Sequence, residues 1–336
     1  MNGFIEEVCT QGELMKEVLQ YYMEEKTIDD VVNIFRQKGM KKIILSGMGS
    51  SLYAMDSVKS FLTENGITTQ SMSSFELSRY EFKQIDNQTL LVVASQSGKS
   101  QEVIELVKKA TSITTVVGIY NNEGCPLQSL VNFALPIKAN KETSVTNKTF
   151  EFTMLILNIF AHKLTNTFDK KFIEELFSIN DWINNWLKNY YEKSLPIYEF
   201  AKGYLLNDLL ANDTSLATAK QLSLAYREGL HDCTAVWECA DYAHGQYHSS
   251  KLAKKYLAQM FFPVFDSETK EMKMLNYIVE HGGKVILYTS SNIQSTNQVY
   301  VVKLPLYSKT LMPLVESVAA ETVLGMLYGC DWVKDH

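Results

Sequence analysis

The stretch Thr89-Leu90-Leu91-Val92-Val93-Ala94-Ser95-Gln96-Ser97-Gly98-Lys99-Ser100 decides the fold. A continuous β-prone, apolar run enters a turn bearing three hydroxyls and a glycine, and helical spacing follows from Gln101 to Ala110. An uninterrupted apolar strand is one buried on both faces, and a helix directly after it carries the chain back to a parallel neighbour. The same order stands upstream, where Lys42-Ile43-Ile44-Leu45 leads through Gly47-Met48-Gly49-Ser50-Ser51 into the helical pattern Leu52 to Leu62. Thr114 to Ile119 and Phe133 to Ile137 supply two further strands. These runs predict an α/β protein with a doubly wound, mainly parallel sheet flanked by helices.

The pattern returns in the second half. Ala258 to Phe262 reads as a strand, Asp266-Ser267-Glu268-Thr269 as a turn, the residues to Glu280 as a helix, and Lys284 to Tyr288 as the next strand. Ser95 pairs with Ser267 and Tyr120 with Thr289 at nearly constant offset, which predicts an internal duplication of one unit. The copies differ at their turns: Gly and Ser in the first half, acids in Ala211-Asn212-Asp213-Thr214 and Asp266 to Thr269. Between them, Phe172, Leu176, Ile179, Ile183 and Leu187 recur at helical spacing. The expected division is residues 1–170, a connecting helix over 171–195, and residues 196–336.

Composition narrows the partners. The chain has 336 residues, 46% apolar and 21% charged, with a net charge of −6. That balance argues against nucleic acid, whose phosphates call for a basic face. No apolar run reaches the ~18 residues of a membrane span, and the N-terminus lacks a signal-peptide pattern. Five cysteines without a CxxC predict a reducing, cytoplasmic compartment.

The turn Ser95 to Ser100 sits where a strand ends and a helix begins. There free main-chain N–H groups favour an anion, the hydroxyls add donors, and Gly98 lets the backbone approach a ligand. A serine in such a place also serves as a helix N-cap, so each hydroxyl alone has a structural reading. Two other phosphate motifs fail: a Walker A loop needs glycine where Val93 stands, and a dinucleotide fingerprint needs it at Leu52. A smaller phosphorylated ligand remains. His244 and His248 have i, i+4 spacing, but Gly245 replaces the glutamate a zincin requires, and no metal site is expected.

These turns resemble those of the sugar isomerase (SIS) domain family in its tandem form, which includes the isomerase half of glucosamine-6-phosphate synthase, phosphosugar isomerases and fructosamine-6-phosphate deglycases. The likeness runs from about Ile43 to Asp331. The family's two phosphate-binding turns stand here as Gly49-Ser50-Ser51 and Ser95-Gln96-Ser97-Gly98-Lys99-Ser100. Its Ser-Thr-Lys-x-Phe segment is matched by Thr146-Asn147-Lys148-Thr149-Phe150. In the second half, Leu224-Ala225-Tyr226-Arg227-Glu228 and Asp241-Tyr242-Ala243-His244-Gly245-Gln246 resemble the family's catalytic stretches.

The resemblance implies two tandem SIS domains, with phosphate held by Gly49, Ser50, Ser51, Ser95, Gln96, Ser97, Gly98, Ser100, Thr146 and Lys148. It makes Glu228 the base that moves a proton between C1 and C2, and His244, given across a homodimer with shared active sites, the group that assists ring opening. It implies no cofactor. One carboxylate on one face of an enediol, plus a group that titrates near neutral pH, is what aldose–ketose chemistry requires.

The expected function is therefore a phosphosugar isomerase, deaminase or deglycase acting on a sugar or amino-sugar 6-phosphate. Asn2 stands where the synthase has its cysteine nucleophile, so no glutaminase activity is expected. Ala225 replaces a motif lysine, and the tail from Gly329 to His336 lacks the Schiff-base lysine. The competing expectation is a sugar-phosphate-binding regulator without catalysis. Retention of both Glu228 and His244 favours the enzyme.

Overall fold

The computed structural model describes residues 3–266 and 268–330. The readings on Asn2, on Ser267 and on the tail beyond Cys330 lie outside the described residues. Two compact units form, one from residues 11–180 and the other from residues 3–10 with 181–330.

The first unit is built on a five-stranded sheet of β1 (Lys42–Gly47), β2 (Thr68–Ser73), β3 (Thr89–Ser95), β4 (Thr115–Tyr120) and β5 (Phe133–Pro136), in the order β2-β1-β3-β4-β5. Every pairing is parallel. Every residue of β3 and of β4 is buried, as continuous apolar runs require. Helix Lys148–Leu164 lies in the core of this unit, and nearly all of its residues are buried.

The second unit repeats the plan with β6 (Leu206–Ala211), β7 (Thr234–Glu238), β8 (Tyr256–Phe261), β9 (Lys284–Thr289) and β10 (Val299–Lys303), in the order β10-β9-β8-β6-β7. Again every pairing is parallel. Counted from its own first strand, each sheet reads 2-1-3-4-5, so the expected α/β architecture of two parallel, helix-flanked sheets is present. Helix Met312–Cys330 holds the core of this unit.

Some boundaries differ from the sequence reading. The pattern Leu52 to Leu62 is two helices, Ser50–Tyr53 and Asp56–Glu64. The connecting segment is also two, Lys170–Lys188 and Tyr190–Ala201, parted at Asn189. Strand β8 ends at Phe261, one residue short of the expected limit, and helix Lys270–Glu280 comes next. Among the described residues no helix is long and apolar enough to cross a membrane.

Candidate functional site

In a parallel sheet of order 2-1-3-4-5, connections leave strands 1 and 3 toward opposite faces, and a crevice opens between their carboxyl ends. In the first unit that crevice is bounded by the loops after β1 and β3, which hold Gly49-Ser50-Ser51 and Ser95 to Ser100. Gly47 ends β1 with no room for a side chain: a Cβ would stand 3.0 Å from the Leu52 nitrogen. Gly49 follows at φ 52°, ψ −130°, a backbone state that favours glycine.

The β3 loop is the better built of the two. The Ser95 side chain is buried, and its Oγ lies 2.9 Å from Ser100 Oγ. Ser100 is the N-cap residue of helix Gln101–Ala110, yet its hydroxyl makes no capping bond and spans the loop instead. The routine N-cap role therefore does not describe this serine. Gly98 sits at φ +63°, and a Cβ there would fall 2.1 Å from Cys125 Sγ. The Gly98 N–H donates to the Ser95 carbonyl at 2.9 Å. The carbonyls of Gln96 and Gly98 accept from the Asn121 N–H (3.0 Å) and the Leu127 N–H (3.1 Å) on the loop after β4. The loop is pinned on that side, while Gln96, Ser97 and Ser100 stay half-buried.

Thr146 is half-buried, just ahead of helix Lys148–Leu164. Lys148 is 5% exposed, and its ammonium donates to the Lys141 carbonyl at 2.8 Å. Sequence reasoning missed Glu142 here. Its carboxylate accepts from the N–H groups of Asn147 and Thr149, both at 3.1 Å, and from the Thr149 hydroxyl at 2.5 Å. An acidic side chain thus already meets the positive end of that helix.

Glu228 lies in the second unit, on the last turn of helix Leu216–Leu230, where its side chain reaches solvent. Partial burial of the carboxyl raises its pKa above the ordinary value. The turn that carries it is anchored twice. The Tyr226 hydroxyl, fully buried, accepts from Gln259 Nε2 at 2.9 Å. The Tyr328 hydroxyl donates to the Ala225 carbonyl at 2.5 Å, and its ring fills the space above Gly229, where a Cβ would stand 2.0 Å from it.

His244 occupies the turn after the short helix Cys239–Tyr242, with its N–H bonded to the Asp241 carbonyl at 2.9 Å and its ring exposed. The spacing of His244 and His248 does not fall on an α-helix. Gly245 at φ +130° separates His244 from the 3-10 stretch Gln246–Lys255. Among the described residues no cluster of three or more His, Cys, Asp or Glu could hold a metal.

In the second unit, side chains bond across the corresponding crevice. The Asn212 carboxamide accepts from the Cys239 N–H at 3.0 Å and donates to Glu271 at 2.8 Å. Asp213 pairs with Lys309 at 3.2 Å. Hydroxyls and glycines hold this place in the first unit, and a carboxamide and a carboxylate hold it in the second.

No family model matches the chain. Over 126 residues, 37% of its length, the chain is 30% identical to the glutamine–fructose-6-phosphate aminotransferase (isomerizing) of Pyrococcus horikoshii, and the match spans 21% of that protein. Among solved structures, the C-terminal domain of glucosamine-fructose-6-phosphate aminotransferase from Francisella tularensis superposes with TM-score 0.84 at 19% identity, covering 98% of this chain and 96% of that one. The fold is that of two tandem SIS domains. The tagatose-6-phosphate ketose/aldose isomerase of Escherichia coli shares this SIS architecture, with TM-score 0.77 at 15% identity, covering 97% of this chain and 92% of that one.

Proposed function

We propose that the chain is a phosphosugar-processing enzyme, an aldose–ketose isomerase or a deaminase or deglycase acting on a sugar or amino-sugar 6-phosphate. The observation that carries the reading is the asymmetry of the two crevices. Among the described residues, only the first presents bridged hydroxyls and a glycine-lined backbone suited to a small dianion, while the second unit bears a carboxylate of raised pKa on a doubly anchored turn. Phosphosugar activity in the names of the SIS-fold proteins above supports the same substrate class.

In this reading Ser95, Gln96, Ser97, Gly98 and Ser100, with Gly49, Ser50, Ser51 and Thr146, hold the phosphate. Lys148 acts through the main chain, fixing the segment at Lys141. Glu228 takes the proton from C2 of the open-chain aldose, leaving an enediolate, and returns it to C1 while the O2 proton passes to O1, giving the ketose. His244 moves the ring-oxygen proton during opening, and its exposed position suits a group offered to a partner copy in a homodimer. A carboxylate whose pKa is raised is a stronger base once ionised, as proton abstraction beside a carbonyl requires.

The test incubates the protein with hexose, hexosamine and fructosamine 6-phosphates in deuterated water and follows C2 proton exchange by NMR. Exchange or turnover with at least one is expected, and E228Q should keep binding while turnover falls by roughly 10²–10⁴. Binding without exchange in the unmodified protein sinks the enzymatic reading in favour of a regulator.

A further inference from the structure

Buried polar groups near His244 form a chain that neither the sheet nor the hydrophobic core requires. Asp208 lies on β6, in the interior of its sheet, and is 2% exposed. Its neighbours across the ladder are Ala235 on β7 and Ala258 on β8, small residues that leave room beside it. Tyr256 stands two positions before Ala258, diagonal to Asp208 on the same face. Its hydroxyl donates to Asp208 Oδ2 at 2.8 Å. The Tyr242 hydroxyl in turn lies 2.6 Å from the Tyr256 hydroxyl, and both rings are fully buried. With Tyr256 donating to the carboxylate, Tyr242 donates to Tyr256. The buried Trp237 indole N–H faces the same carboxyl group.

A buried carboxylate tied to two phenols is a poor device for stability alone, because apolar side chains of like volume serve as well without the desolvation penalty. What such a chain supplies is a defined geometry. Here the geometry is that of Tyr242, the last residue of the helix Cys239–Tyr242. The opposite end of that helix is held as well, by the bond from the Cys239 N–H to Asn212. From Tyr242 the main chain reaches His244 in two residues, through the Ala243 N–H to Cys239 (3.2 Å) and the His244 N–H to Asp241 (2.9 Å). Beyond lies Gly245 at φ +130°, a backbone state that favours glycine. Tyr242 is therefore the last side chain anchored in the core before His244.

We propose that Asp208, Tyr256 and Tyr242 are positioning residues that fix His244 for its part in the reaction, an inference resting on the functional reading above. Misplacement of a reacting group by about 1 Å costs up to roughly 10²-fold in rate. Y242F and Y256F keep the rings and the packing but break the chain, so kcat should fall about 10-fold while KM changes less than about 2-fold. Introduced into H244A, Y242F should have almost no further effect, because a residue acting through His244 has nothing left to act on.

A second readout needs no turnover. In ¹³C-histidine-labelled protein, the His244 Cε1–H resonance, assigned by its loss in H244A, should shift in Y242F and Y256F while those of the other five histidines hold. Multiplicative loss in the double variant overturns the inference and leaves the functional reading intact. A wild-type His244 resonance in both phenylalanine variants also overturns it. Full turnover by H244A instead removes His244 from the reaction, and with it the functional part of the inference.

Discussion

Glu316 is a carboxyl group that the protein holds wholly out of water, on helix Met312–Cys330 of the second unit. It accepts from Ser215 Oγ at 2.9 Å and, at the long limit, from Thr218 Oγ1 at 3.4 Å. Burial pushes its pKa up to about 7, and the two hydroxyls recover only part of that shift. In the unfolded chain the group ionises near its ordinary value of 4.5. Between those values the folded protein keeps a proton that the unfolded chain has released, so stability is fully present below about pH 4.5 and declines as pH rises toward 7. A gap of about 2.5 pH units at about 1.36 kcal/mol each gives a loss of about 3 kcal/mol. E316Q replaces the carboxyl with a neutral group of the same shape and abolishes that dependence. Urea unfolding at pH 5 and pH 8 tests it, read by tryptophan fluorescence. Trp182, Trp186 and Trp237 belong to the unit that contains Glu316. The variant should be more stable than the parent by about 3 kcal/mol at pH 8 and within about 1 kcal/mol of it at pH 5. Parallel profiles for the two proteins would refute the reasoning.

His162 should behave in the opposite sense in the first unit. It stacks between Phe61 and Phe172 at 4.4 and 3.7 Å, and burial lowers its pKa to about 4. The stability of its neutral form is present above pH 6.5 and lost as pH falls toward 4, by about 3 kcal/mol; amide exchange in helix Lys148–Leu164 should show that acid loss in the parent and a smaller one in H162F. G98A places a Cβ 2.1 Å from Cys125 Sγ at φ +63°. It should destabilise the first unit by at least ~2 kcal/mol and weaken binding of a hexose 6-phosphate at least ~10-fold by calorimetry, and unchanged affinity would remove the β3 loop from the site. The raised pKa of Glu228 puts the acid limb of kcat/KM above the ordinary carboxylate range, with activity falling as pH falls through it. An acid limb at or below the ordinary value of 4.5 would contradict that role.

The parallel sheets were legible where burial is apolar on both faces. β3, β4 and β9 read directly as continuous runs, and the helices after β3 and before β9 read at their observed limits. β6 did not, because Asn207 and Asp208 interrupt its apolar run. Their partners, Gln259 for Asn207 and Tyr256 for Asp208, come from a strand about fifty residues later, and no local pattern announces that pairing. β2, Thr68 to Ser73, is polar and half-buried at a sheet edge, where one face needs no apolar side chains. At the candidate site, the serine-rich loop could be read, but the bond between Ser95 and Ser100 could not. Glu142 escaped notice because it stands six residues ahead of the helix it serves, outside the capping-box spacing. Tyr242 matched a motif position, so its buried hydroxyl went unread.

The two units share one topology and therefore possess two crevices, and the described residues that border them differ. Residues at the crevice of the second unit do structural work. Helix Leu216–Leu230 begins there, and its first turns are tied to the entry of helix Met312–Cys330. Thr214 donates to the Lys309 carbonyl at 2.8 Å, Ser215 to Glu316 at 2.9 Å, and Thr218 approaches the Pro313 carbonyl at 3.3 Å. Its last turn is tied to the far end of the same helix by Tyr328. Clamped at both ends along one partner, the helix carries Glu228 on a held element, the condition the proposed base must meet to address two adjacent carbons from one position. Hydroxyls thus do different work in the two copies: in the second they tie one helix along another, and in the first Ser95 and Ser100 bridge the loop after β3.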